Sequence, residues 1–188
     1  TYYTGGEEEP GRPEKQKLDL PANIKVQSIP HDKTISQMLR DGELDAFHTA
    51  RAPSTLDGIN VLRLFPDYAQ VEREYYRKTK IFPIMHTVVI RKDVYEKHPF
   101  LATSLYKALC AAKDHALAKM RYVGALRYML PWMTDDLDEM DRVFGADPWP
   151  YGIEPNRPTL EALTRYLHEQ GMTARKVSLD GLFVDVKI

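Results

Sequence analysis

Apolar and polar positions along this chain follow two rhythms, and the change falls between residues 80 and 100. Before it, short runs alternate or are solidly β-branched; after it, apolar residues recur every three or four positions. Ile24-Lys25-Val26-Gln27-Ser28-Ile29 alternates strictly, as a half-buried strand does. Ahead of it, Thr1-Tyr2-Tyr3-Thr4 also reads as a strand, ended by a turn at Gly5-Gly6 and an exposed, charged, proline-containing loop over 7–15. Asp32 predicts the cap of a helix carrying Ile35, Met38 and Leu39 on one face, with Gly42 as its left-handed end. A short strand over 44–48 then completes a βαβ unit, so the sheet is expected to be parallel. Further strands are predicted over 61–65 and 87–90, the latter a β-branched run read as buried.

Between those two strands, Pro66-Asp67 opens a helix through Tyr68, Val71, Tyr75 and Lys78. Aromatic residues at this spacing, Tyr75-Tyr76 included, fit a core face better than a phenol held in a cleft. A helical turn after residue 91 stops at His98-Pro99, and Pro99 begins a long helix over 100–120 with a well-buried stripe from Leu101 to Ala116. Helical spacing continues over 125–131. A shorter acidic helix over 135–144 is capped by Thr134 and closed by Gly145. Asn156 is expected to cap a last helix with Leu160, Leu163 and Leu167 on one face and Gly171 at its end. A tail over 179–183 should dock by Leu182 and Phe183. This order assigns 1–83 to part of one α/β lobe, and 84–188 to a crossover strand and the mainly helical part of another.

Composition narrows the classes. The chain is 43% hydrophobic, enough for an ordinary core, while a mean hydropathy of −0.46 without an apolar run near ~18 residues argues against a membrane-spanning helix. Lys+Arg 26 against Asp+Glu 27 leaves no field for electrostatic nucleic-acid binding. A single cysteine, Cys110, permits no internal disulfide and reads as a packing residue within its helix. Because the chain opens directly in a strand, a further segment upstream is expected.

No glycine-rich phosphate loop, CxxC, HExxH or GxSxG motif occurs, and no two of the six histidines share a metal-binding spacing on one element. In a parallel sheet, ligands sit at the carboxyl ends of strands. The loop Thr49-Ala50-Arg51-Ala52-Pro53-Ser54-Thr55 follows such an end. It is small and polar, and its arginine suits a carboxylate held by two parallel hydrogen bonds. The alternative is an ordinary surface loop with a solvated arginine. His48 and His86 each fit a structural role alone; together with Arg51 they offer one anion clamp and two proton carriers. The aromatic, proline-rich loop over 146–157, which contains Tyr151, either plugs a seam or lines a pocket.

Several runs carry a resemblance: Tyr2-Tyr3-Thr4-Gly5-Gly6-Glu7-Glu8-Glu9-Pro10-Gly11-Arg12, Gly42-Glu43-Leu44-Asp45-Ala46, Ala50-Arg51-Ala52-Pro53-Ser54, 82–91, Arg127-Tyr128-Met129-Leu130-Pro131-Trp132, and Trp149-Pro150-Tyr151-Gly152-Ile153-Glu154-Pro155-Asn156. Across almost the whole chain they resemble the 4,5-dihydroxyphthalate decarboxylase family. The resemblance implies an α/β, two-lobed fold like that of periplasmic solute-binding proteins, with a parallel or mixed sheet and helices, of which this sequence looks like the later part.

It also implies loss of one carboxylate from a catechol dicarboxylate, giving 3,4-dihydroxybenzoate, without a cofactor or metal. Arg51 would hold the retained carboxylate, His48 would serve as base for the phenol, and His86 as acid for the ring. Ser54 and Tyr151 complete the candidate substrate-binding set. The implied partner is a small aromatic acid, with no nucleic acid and no membrane insertion, and with a homo-oligomer left open. An enzyme of this kind would be cytoplasmic. The competing reading is a periplasmic, non-catalytic protein capturing a small aromatic or other organic anion. A regulatory ligand-binding domain would need an attached DNA-binding segment, and none is present in the sequence.

Overall fold

A computed structural model describes residues 1–12 and 20–186; the part of the predicted loop over 13–15 lies outside the described residues. Two strands and six helices are formed among them, a mixed α and β composition. The chain divides into two units, Thr1–Glu72 with Tyr166–Lys176 and Arg73–Arg165 with Val177–Ile188.

In the first unit, strands β1 (Tyr2–Thr4) and β2 (Val26–Ser28) pair in parallel, with Tyr2 opposite Val26 and Thr4 opposite Ser28. Both predicted strands are therefore present, shortened, and the parallel sense holds. The partner differs from expectation, because no strand forms over 44–48. Helix α1 (Ile35–Arg40) buries Ile35, Ser36 and Met38. Its cap is Thr34 rather than Asp32, the Thr34 hydroxyl accepting the Gln37 N–H at 3.2 Å. Gly42 ends it with φ +74°; the Gly42 N–H reaches the Leu39 carbonyl and the Glu43 N–H the Met38 carbonyl, a complete Schellman closure. Val61 adds to this core.

The strand expected over 61–65 is also absent, and at its first residue the Asp57 carboxylate competes for the amide. That carboxylate accepts the N–H groups of Ile59, Asn60 and Val61 at 2.9, 2.8 and 3.0 Å, of which the Val61 donor belongs to the expected strand. Those three bonds hold the Asp57 carboxyl well below the usual carboxylate range. Helix α2 (Tyr68–Thr79) follows as expected from its start at Pro66-Asp67, with no residue buried.

The second unit holds α3 (Lys92–Lys97), α4 (Phe100–Arg121) and α5 (Met133–Phe144), and it takes the greater part of α6 (Ile153–Glu169). Its buried apolar residues are Met133, Leu137, Leu160, Ala162 and Leu179. Tyr76, Phe82, Phe144 and Trp149 form an aromatic cluster, Phe82 lying edge-on to Phe144 and Trp149 at 5.3 and 5.4 Å.

Several expectations are corrected here. Residues 87–90 form no strand, and Val88 and Val89 are 66% and 86% exposed. A β-branched run becomes a strand only beside a partner backbone, and among the described residues none pairs with it. Helix α4 forms as predicted but buries none of its residues. Residues 125–131 are not helical: so short a helix needs packing to hold it, and Leu126, Met129 and Leu130 are all exposed. Helix α5 starts at Met133, ahead of Thr134, and α6 starts three residues ahead of Asn156. The Asn156 amide instead donates to the carbonyls of Pro150 and Gly152 at 2.7 and 2.9 Å, folding the preceding loop against the helix start. On α6 Leu160 is buried but Leu163 is exposed, and in the tail Leu179 is buried rather than Leu182 and Phe183.

Candidate functional site

In the first unit, the β1 strand delivers Gly5-Gly6 into a turn that brings Glu7 and Glu8 against α1. Two amides at the start of α1, those of Ile35 and Ser36, donate to the carbonyls of Gly6 and Glu7 at 3.0 and 3.2 Å. This leaves both glutamate side chains free to reach the loop at 49–55. The Glu8 carboxylate accepts the Ser54 N–H at 2.8 Å, the Ser54 hydroxyl at 2.7 Å and the Ser36 hydroxyl at 2.9 Å. Ser36 is only 1% exposed. These donors, the Ser54 amide foremost, lower the Glu8 pKa. Glu7 accepts the Thr49 hydroxyl at 2.8 Å, and that same oxygen accepts the Arg51 N–H at 3.3 Å. The Thr55 hydroxyl donates to the Ser36 carbonyl at 3.2 Å.

Arg51 thus sits between two carboxylate-held anchor points, and its exposed guanidinium makes no ion pair among the described residues. Ser54 lies in the same loop, but its hydroxyl proton is already given to Glu8. His48, just ahead of the loop, is exposed. The first unit therefore gathers His48, Arg51 and Ser54 along one short segment. The contribution of Glu7 and Glu8 was not anticipated; the run Gly5-Gly6-Glu7-Glu8 was the available signal, since a glycine turn followed by acids can return carboxylates to nearby amides.

In the second unit, His86 is exposed within 83–90, and its ring makes no hydrogen bond among the described residues. Tyr151 is half-buried beneath Lys113, whose ammonium lies 4.9 Å from the ring centroid. The same ammonium reaches Asp147 at 2.5 Å and the Trp149 carbonyl at 3.1 Å, while Asp147 accepts the Trp149 N–H at 3.0 Å. Lys113 thereby ties α4 to the proline-rich loop and holds Tyr151 in place. Two turns back on α4, burial and a hydrogen bond with the Cys110 thiol push the Tyr106 phenol up in pKa. Sequence reading missed Lys113, which nothing in its own helix distinguishes from an ordinary surface lysine.

Among the described residues no group of three or more His, Cys, Asp or Glu is placed to hold a metal ion, and no helix is long and apolar enough to cross a membrane.

Comparison with known proteins bears on this arrangement. No protein-family model matches the chain. A 4,5-dihydroxyphthalate decarboxylase of Comamonas testosteroni is 36% identical over 184 residues, 97% of this chain. The chain is similar to that decarboxylase over nearly all of its own length. A second relative, the 4,5-dihydroxyphthalate decarboxylase of Pseudomonas putida, is 43% identical over 79 residues, 41% of this chain and 31% of its own length. The chain spans about half the length of the decarboxylase that it matches throughout: the alignment covers 56% of the Comamonas protein.

Proposed function

We propose that this chain takes part in the decarboxylation of an aromatic dicarboxylate, 4,5-dihydroxyphthalate going to 3,4-dihydroxybenzoate. The supporting observation is an arginine with no ion-pair partner among the described residues, on a loop fastened from both sides, in a chain similar to curated decarboxylases of that substrate. In 4,5-dihydroxyphthalate each carboxylate stands para to a hydroxyl. Removal of the phenolic proton by His48 pushes an electron pair onto the carboxyl-bearing ring carbon. His86 protonates that carbon, the bond to the carboxylate breaks, carbon dioxide leaves with its former bonding pair restored to the ring, and the phenol regains its proton. Arg51 holds the retained carboxylate, and Ser54 and Tyr151 border the ring. The fold proposed for this chemistry is the two-lobed kind found in periplasmic solute-binding proteins, with the substrate enclosed in its cleft and the enzyme in the cytoplasm.

Incubating the natively expressed protein with 4,5-dihydroxyphthalate and following 3,4-dihydroxybenzoate by chromatography tests this reading. Product formation proportional to protein is the expected result. Tight binding of the diacid without turnover would replace the enzyme by a binding protein.

A further inference from the structure

The two glutamates that fasten the Arg51 loop bond to hydroxyls and an amide, and neither is spent on the arginine. Had they served to balance the cation, an ion pair would join them; instead Glu7 takes the Thr49 hydroxyl and Glu8 takes Ser54 twice. Thr49 passes the restraint on, because its oxygen accepts the Arg51 N–H. The anchor at Ser54 lies three residues beyond Arg51, and it rests on a buried hydroxyl, Ser36, which donates to the same Glu8 carboxylate. The loop has no regular secondary structure of its own. Its backbone order comes from these contacts, from the Leu56 N–H on the Pro53 carbonyl and from the Thr55 hydroxyl on the Ser36 carbonyl. Bidentate recognition of a carboxylate demands a guanidinium fixed in direction as well as in place.

We propose that Glu7 and Glu8 are positioning residues, a two-point clasp that presents Arg51 to one carboxylate of the substrate. This rests on the assignment of Arg51 made above. The acids leave the cation unpaired and restrain only its backbone, so the loop arrives ordered and its charge remains available to an anion. Loosening the clasp lowers affinity for 4,5-dihydroxyphthalate, whose retained carboxylate Arg51 holds, more than for catechol, which has the same pair of hydroxyls and no carboxylate. The lowered Glu8 pKa agrees with a carboxylate that stays ionised, and so keeps its acceptor role, wherever ordinary glutamates do.

Calorimetric titration of the natively expressed protein with 4,5-dihydroxyphthalate and with catechol provides the test, applied to the wild type, Arg51→Lys, Glu8→Ala and the double variant. Each single change is expected to weaken the diacid about tenfold, the size of one charge-assisted hydrogen bond. The double variant should be no weaker than Arg51→Lys alone, and catechol should shift by less than the diacid. Losses that multiply in the double variant, or that fall equally on the diacid and on catechol, overturn the clasp and leave Glu8 a purely structural residue. Arg51→Lys binding the diacid like the wild type overturns the Arg51 assignment itself, as does a wild type that does not bind the diacid. If circular dichroism shows Glu8→Ala unfolded, Glu8→Gln takes its place in the same cycle: it keeps the shape and one acceptor oxygen but lacks the charge.

Discussion

Replacing Lys113 by methionine isolates what one ammonium group contributes, because the thioether chain preserves most of the aliphatic packing. The lysine side chain is 11% exposed, so water screens its near contacts little. Its hydrogen bond to the Trp149 carbonyl contributes about 1.5–3 kcal/mol as a bond from a charged donor. Its place over Tyr151 adds about 0.5–1 kcal/mol. The pair with Asp147 is discounted to about 1 kcal/mol or less, since Asp147 is 44% exposed. The three share one cation and do not add fully, so the expected loss is about 2–3 kcal/mol. Asp147→Asn keeps an oxygen for the Trp149 N–H and should cost below about 1 kcal/mol. Urea titration at neutral pH, followed by circular dichroism and tryptophan fluorescence, measures both. Equal losses in the two variants, or Lys113→Met within about 0.5 kcal/mol of wild type, would refute the carbonyl bond as the dominant contact.

Three further outcomes are expected. His86→Gln should lower turnover of 4,5-dihydroxyphthalate by roughly 10²–10⁴-fold with little change in affinity, and turnover within a few-fold of wild type would remove His86 from proton transfer. The Asp57 carboxyl, depressed in the folded state, contributes stability that is present at neutral pH and lost progressively as pH falls from the ordinary aspartate value, about 3.9, through its lowered pKa; carbon-detected titration should find it still ionised where ordinary aspartates are half protonated. Gly42→Ala meets no atom within 4 Å, so its cost is that of a left-handed alanine, about 1–2 kcal/mol by urea titration, with Gly42→Asn recovering part of it.

What the sequence made legible is mostly what a few neighbouring residues decide. Gly42, Gly145 and Gly171 all end or follow helices with positive φ, as their positions implied, because a left-handed closure depends on the glycine and the turn before it. Caps at helix starts were less certain: Thr34 displaced Asp32, and α5 and α6 began ahead of Thr134 and Asn156. Strands were least legible. Residues 44–48, 61–65 and 87–90 have suitable composition, but pairing depends on a distant backbone, and at 61 the local capture of amides by Asp57 competes. The family resemblance was legible from short runs spread along the chain, and the Arg51 loop from its composition. The contacts that shape that loop join residues 42 and 46 positions apart, beyond the reach of any local pattern. Lys113 was hidden for the same reason, its partners lying 34 and 36 residues further on.

The bare run at 87–90 has a practical consequence for the protein in solution. Val88 and Val89 stand in water, and no backbone hydrogen bond is made over 83–90 among the described residues. Such a stretch is an open template for the edge of another polypeptide, as in cross-β assembly. The flanking Arg91 and Lys92 oppose the stacking of identical copies, although Arg91 is partly neutralised by Asp93 at 2.8 Å. Self-association should therefore grow with concentration and with salt that screens those two cations. Val89→Lys, a change at a side chain in open solvent, should suppress it without lowering the midpoint of unfolding, and light scattering against ionic strength would register the difference.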